Sequence, residues 1–174
     1  MNIFYLDRDP KVAAEMHCDK HVIKMILESA QMLSSAHRFL DGDQYADKVA
    51  LYKMSHKNHP SNLWVRSSDD HYKWLFNLML SQMEEYTYRY DKHHATERLI
   101  EPLRLLPLLI KENGFVDPPM CMPEYCKSND TVLSYQNYYI TEKSDFATWK
   151  RRARPKWFSP IKGGLNEYHT GLCL

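Results

Sequence analysis

Glycine is scarce in this chain, with five in 174 residues. There is no G-x-G-x-x-G and no Walker loop, so nucleotide binding through a phosphate-cradling glycine loop is not expected. No H-E-x-x-H is present. His17-Cys18 and Cys121-x4-Cys126 lack the spacing of a zinc ribbon or finger, and no resident metal or cofactor is expected. No apolar run approaches the roughly 18–20 residues of a membrane span, so no membrane partner is expected. The most apolar stretch, Leu103 to Ile110, is broken by Pro107. The opening MNIFYLDRDP has neither the apolar length nor the cleavage site of a secretory signal. Cys18, Cys121, Cys126 and Cys173 are therefore expected as free thiols in a reducing cytoplasm. An excess of one charge sign is also missing. Lysine and arginine number 23 against 22 acids, a net charge of +1. That excludes a uniformly basic surface but leaves room for a local basic patch.

What is present suits a folded domain. Hydrophobic residues are 44% and charged residues 26%, ordinary for a globular chain of this length. Strand patterns are nearly absent. The expected class is all-α: a single compact domain with two long helices crossing in the core and an irregular C-terminal tail. The domain spans 1–158 and the tail 159–174. Residues 2–6 read as a strand or as an extended arm pinned on the core. Asp9-Pro10 is a helix start. A helix from Pro10 runs into the first long one, 16–40, with a bend near Met16–Asp19, and the long helix ends at Gly42. A short helix is expected over 44–54 and a second long one from Pro60 to Tyr90. Thr96–Leu109 is helical with an interruption at Pro102 or Pro107. Residues 113–124 form a proline-rich loop, 130–140 a helix and 145–152 another short one.

Three stretches carry chemistry. On the 16–40 helix, His17, His21, Lys24, Glu28, Gln31 and Ser35 recur at steps of four and three, so they form one narrow polar seam on an otherwise apolar helix. The seam either floors a cleft, with Glu28 as acid or base, or is a sliver of solvent exposure with Lys24 and Glu28 as an i,i+4 pair. The loop His56-Lys57-Asn58-His59-Pro60, with Trp64 and Arg66 after it, lies at a helix N-terminus, which favours anions. Arginine suits a phosphate and tryptophan a base. The alternative is a core Trp64 and a solvated Arg66. In WKRRARPKWF, residues 149–158, Arg152, Arg154 and Lys156 interleave with Trp149 and Trp157 as a nucleic-acid backbone would require. The alternative there is a solvated basic turn with both indoles packed inward.

Taken together these pieces resemble the pyrimidine-dimer DNA glycosylases of the phage endonuclease V type. Asp19-x-His21 with Glu28 nine residues after Asp19 is similar to the start of that family's first long helix and its catalytic glutamate. Asn58-His59-Pro60 followed by Trp64, and lysine and glutamate at Lys24 and Glu28, look like a match to bacterial relatives. Arg154-Pro155-x-Trp157-Phe158 is similar to an Arg-Pro-x-Trp-Tyr near the phage enzymes' C-terminus. The resemblance touches both ends and the middle of the chain, with sparse identity.

The resemblance implies an all-helical domain that flips a base out of DNA. The N-terminal α-amine attacks C1′ and forms an imine, and the base leaves. β-Elimination can then nick the strand, assisted by the carboxylate. An α-amine of ordinary pKa, about 7.7–8, is partly neutral near pH 7 and hence a usable nucleophile. The family exposes a small threonine by removing its initiator methionine. Here residue 2 is Asn2, whose size disfavours that removal, so the amine would belong to Met1, one residue out of register. The arginine that follows the nucleophile in the family is Ile3 here. Met1, Asn2 and Glu28 are thus the candidate catalytic residues. His17, His21, Lys24, His59, Trp64, Arg66, Arg152, Arg154, Lys156 and Trp157 are the candidate substrate contacts. Two other classes stand beside a DNA partner: a protein of the same fold that binds or cleaves a small nucleotide without gripping duplex DNA, and a helical protein-interaction module. Nothing in the sequence fixes an oligomeric state.

Overall fold

A computed structural model describes residues 1–159. The boundary expected at 158/159 and the thiol expected at Cys173 bear on a tail that lies, from residue 160 on, outside the described residues. Seven α-helices and two short 3-10 turns account for the regular structure, and the described residues contain no strand. The class is all-α. No helix among them is long and apolar enough to cross a membrane.

Helix α1 spans Pro10–Met16; Asp9 caps it, its carboxylate accepting from the backbone N–H of Lys11 and Val12. Helix α2 spans Asp19–Asp41. Between them His17 and Cys18 adopt extended backbone, so the expected bend is a two-residue break. Asp19 anchors the break. Its carboxylate accepts from the Thr148 hydroxyl, the Lys150 N–H and Arg89. Helix α2 ends at Gly42, which takes φ +80°, a conformation glycine adopts without a Cβ penalty.

Helix α3 is Asp43–Lys48 and stops six residues short of the expected Met54. The buried Arg38 of α2 holds the Leu51 and Tyr52 carbonyls in a non-helical path, with Asp43 and Asp47 on the same guanidinium. The second long helix is two: α4, Pro60–Ser67, and α5, Asp69–Tyr90. Ser68 is extended at the break, its hydroxyl donating to the Gly114 carbonyl at 2.6 Å while the Asp69 N–H donates to Lys111. The loop at residues 111–114 thus supplies the partners that a continuous helix would have supplied itself.

Beyond a 3-10 turn at Ala95–Leu99, helix α6 is only Ile100–Arg104. Pro107 disfavours helical backbone before it, and the Asp41 carboxylate takes the N–H groups of Leu108 and Leu109. Helix α7 spans Thr131–Glu142, capped by Asp130. The short helix expected over 145–152 is instead a series of turns, with Arg151 at φ +60°.

Helices α2 and α5 pack on each other as the centre of the fold, with α1 against α5 and α4 against both. Met25, Ile26, Met32 and Leu33 of α2 and Leu75, Leu78 and Met79 of α5 are essentially fully buried. Fully buried apolar side chains of this size contribute about 1.5–3 kcal/mol each before chain entropy is subtracted. Arg89 is also fully buried. It bonds Glu85, Asp19 and the carbonyls of Glu15 and His17, tying α5 to the α1–α2 break. Residues 2–6 form the extended arm, with Ile3, Phe4, Tyr5 and Leu6 all buried.

Candidate active site at the chain start

The arm delivers the chain start to Glu28. The Met1 α-nitrogen lies 3.7 Å from Glu28 Oε2, and the Asn2 backbone N–H donates to the same oxygen at 3.3 Å. Lys24, one turn earlier on α2, reaches Glu28 Oε1 at 3.2 Å. The Glu28 side chain is 13% exposed, so the carboxylate is lined on one edge by the chain start, on the other by a lysine, and is still in contact with solvent.

Both first residues are fixed by groups far away in sequence. The Asn2 side chain donates to the Cys121 carbonyl and accepts from the Tyr135 hydroxyl, both at 2.8 Å. Met1 tucks its side chain inward, with Asn62 Nδ2 3.1 Å from its sulfur. Asn62 Nδ2 also donates to the Ser55 and His56 carbonyls. Its Oδ1 is buried with no hydrogen-bond partner. His59 caps α4, accepting the Ser61 N–H on Nδ1. Burial lowers its pKa, and the nearby N-terminal ammonium and His56 add to that, against Glu28. His59 thus belongs to the same electrostatic neighbourhood as the amine and the carboxylate. Asn62, Tyr135 and Cys121 were not legible as neighbours of the chain start, because contacts between residues 60 to more than 130 positions apart leave no periodic trace.

The mouth is cationic. Lys20, Lys24 and Lys143 all lie close enough to His21 to depress its pKa, beyond the larger effect of its burial. Lys20 and Lys143 rest over the Phe146 and Tyr138 rings. Of the three, Lys24 is the one within ion-pair distance of Glu28.

The other expected contacts divide by burial. His17 is completely buried: Nε2 donates to the Phe4 carbonyl at 3.1 Å and Nδ1 accepts from Gln82 at 3.0 Å. Burial pulls its pKa down to about 4. His21 stacks on Phe4 at 4.1 Å and accepts from the Tyr139 hydroxyl, and burial pulls its pKa to about 3. Expected as substrate contacts, both histidines are neutral core groups, because desolvation outweighs every favourable partner. Trp64 is likewise turned inward. Its indole N–H donates to the Val116 carbonyl, and its ring stacks on His71 at 4.4 Å. Arg66 donates to the Lys57 carbonyl and lies 3.9 Å over the Phe39 ring, away from the amine.

In the basic run, Arg152 is drawn onto Glu85 and Glu15, and Arg151 onto Asp91. Trp157 points its N–H at the Met16 sulfur, 3.3 Å away. Arg154 and Lys156 are exposed, and among the described residues no carboxylate is within ion-pair distance of either. This segment docks on Asp19, nine residues before Glu28, which is about 13 Å along α2 at 1.5 Å per residue.

A groove of about 660 Å³ lies elsewhere, between α5 and α6, beside Met83, Tyr88 and Ile100. It contains none of the residues around Glu28, whose carboxylate is 13% exposed between Lys24 and the chain start. Among the described residues no group of three or more His, Cys, Asp or Glu is arranged to hold a metal ion, and Cys18, Cys121 and Cys126 are free thiols. Comparison with family models, with curated proteins and with solved structures returns no match.

Proposed function

We propose that this chain is a DNA glycosylase with lyase activity on a damaged or modified base, using the N-terminal amine as nucleophile and Glu28 as its acid–base partner. One observation carries the reading: the first two backbone nitrogens of the chain both lie within 4 Å of one carboxylate oxygen. An amine beside a carboxylate in a water-accessible opening is the pairing that imine chemistry requires. The one-residue register difference from the endonuclease V family matters less than the sequence implies, since Glu28 Oε2 is within reach of residue 1 and residue 2 alike.

The amine lone pair attacks C1′ of the target nucleotide. The C1′–base bond breaks, and its electron pair leaves with the base, which takes up a proton. Glu28 accepts the proton released from the amine and returns one to the sugar ring oxygen as the ring opens to the imine. Loss of the C2′ proton then expels the 3′ phosphate by β-elimination. Lys24, with Lys20 and Lys143, stabilises the phosphates alongside, and Arg154 and Lys156 extend that field. Borohydride trapping on an oligonucleotide with an abasic site tests the reading. Hydride adds to the imine carbon and leaves a stable amine crosslink; absence of that crosslink, together with no base release from DNA that carries a damaged base, contradicts it.

A second reading, a small nucleotide as ligand, is favoured by one feature. Arg151 and Arg152 are spent on internal carboxylates, which shrinks the cationic footprint. It predicts mononucleotide binding without the steep loss of affinity in salt that DNA binding shows.

A further inference from the structure

Phe4 has φ +52°. A bulky L-residue in the left-handed region costs on the order of 1–3 kcal/mol and persists only where its surroundings over-determine it. Here they do. The Phe4 carbonyl accepts from the Leu6 N–H at 2.9 Å and from His17 Nε2 at 3.1 Å. A carbonyl can only accept, so the proton sits on Nε2, and Nδ1 is left to accept from Gln82. Gln82 in turn accepts from Ser29 at 3.5 Å. The Phe4 ring lies flat on His21, 20° from parallel. A chain of buried polar groups on α5 and α2 thus fixes His17, His17 fixes the turn at Phe4, and that turn aims residues 1–3 at Glu28.

We propose that His17 is a positioning residue. Its Nε2–H bond to the Phe4 carbonyl holds the N-terminal arm in the one path that sets the chain's first nitrogens on Glu28. His17 is completely buried and lies before α2, whose run from Asp19 to Glu28 alone spans about 13 Å, so it acts only through the arm. Its catalytic consequence rests on the glycosylase reading; its effect on the arm does not.

The test uses the full chain with His17→Leu and His17→Gln. Glutamine can donate from nearly the same place, whereas leucine fills the volume and leaves the carbonyl only its Leu6 N–H partner. Hydrogen exchange is followed across residues 2–6 and across α2 and α5, alongside borohydride trapping on an abasic oligonucleotide and its dissociation constant. In His17→Leu, exchange in the arm is expected to quicken at least tenfold while α2 and α5 stay protected. Trapping slows at least tenfold at a dissociation constant within twofold of wild type, and His17→Gln restores both. Arm exchange and trapping unchanged in His17→Leu overturn the proposal. If His17→Leu loses the fold, Gln82→Met replaces it. That variant keeps His17 but removes the donor that fixes its tautomer, so arm exchange rises and trapping falls together; no change in either overturns the proposal. A wild-type chain that never traps, with an arm that still loosens in His17→Leu, supports the positioning role and contradicts the glycosylase reading alone.

Discussion

The polar residues expected as one seam over 16–40 meet opposite fates: His17 lies in the extended break before α2, and His21, Lys24 and Glu28 on α2 itself. His17 and His21 at its N-terminal end are sealed in the core, neutral, each with an internal hydrogen-bond partner. Lys24 and Glu28, one and two turns further on, face an opening where the chain start arrives. Helical spacing aligns His21, Lys24 and Glu28 but not His17, and what separates buried from open is what covers each. The arm and α7 close over the histidines, through Phe4 and Tyr139, and the arm ends at Glu28. One half therefore builds the scaffold that aims the other half's chemistry.

The sharpest way to break this comparison is Glu28→Gln. Imine formation should slow by about two to four orders of magnitude, the range for loss of a proton-transfer group. Thermal stability should shift by less than about 1 kcal/mol, because the Lys24 partner is largely solvated. Calorimetry beside trapping kinetics checks both. A stability change without a rate change would make Glu28 another structural member of the seam.

Acid sharpens the other half. The two histidines titrate near 6.5 when unfolded but near 4 and 3 when folded. Above pH 6.5 they are neutral in both states and their burial carries no protonation cost. As pH falls below 6.5 the unfolded chain binds protons that the folded chain refuses, so stability falls with pH. The loss at pH 5 is on the order of 2 kcal/mol per histidine. Denaturant melts between pH 8 and pH 5 measure it, and His17→Gln should remove its own share, about 2 kcal/mol at pH 5, from a loss to which the other histidines whose pKa burial lowers also contribute.

How much was legible follows the same division. The all-α class, the capped start of α1, the buried arm and the Gly42 terminus follow from local rules of pattern and capping, and these the structure bears out. The break at Ser68 was not legible, since its partners come from Gly114 and Lys111. The short α3 depends on Arg38 reaching two carbonyls from a neighbouring helix. At the site, periodicity placed Lys24 and Glu28 on one face but could not separate them from His17 and His21. Only the tertiary cover distinguishes a buried histidine from an exposed one.

Smaller effects test the rim. Removing Arg154 or Lys156 should lower the salt dependence of DNA affinity by about one phosphate's worth each and weaken binding uniformly across sequences. Fluorescence anisotropy titrations at several salt concentrations read this out. Lys24→Ala should change stability by no more than about 1 kcal/mol and weaken trapping only a few-fold. A hundred-fold loss there would make Lys24 itself the nucleophile.

That last possibility singles out the decisive measurement: mass-spectrometric localisation of the borohydride crosslink formed on an abasic oligonucleotide. The account predicts a single adduct on the α-amine of the chain's first residue, absent in Glu28→Gln. An adduct on Lys24 or another lysine, or no adduct at all, would contradict it.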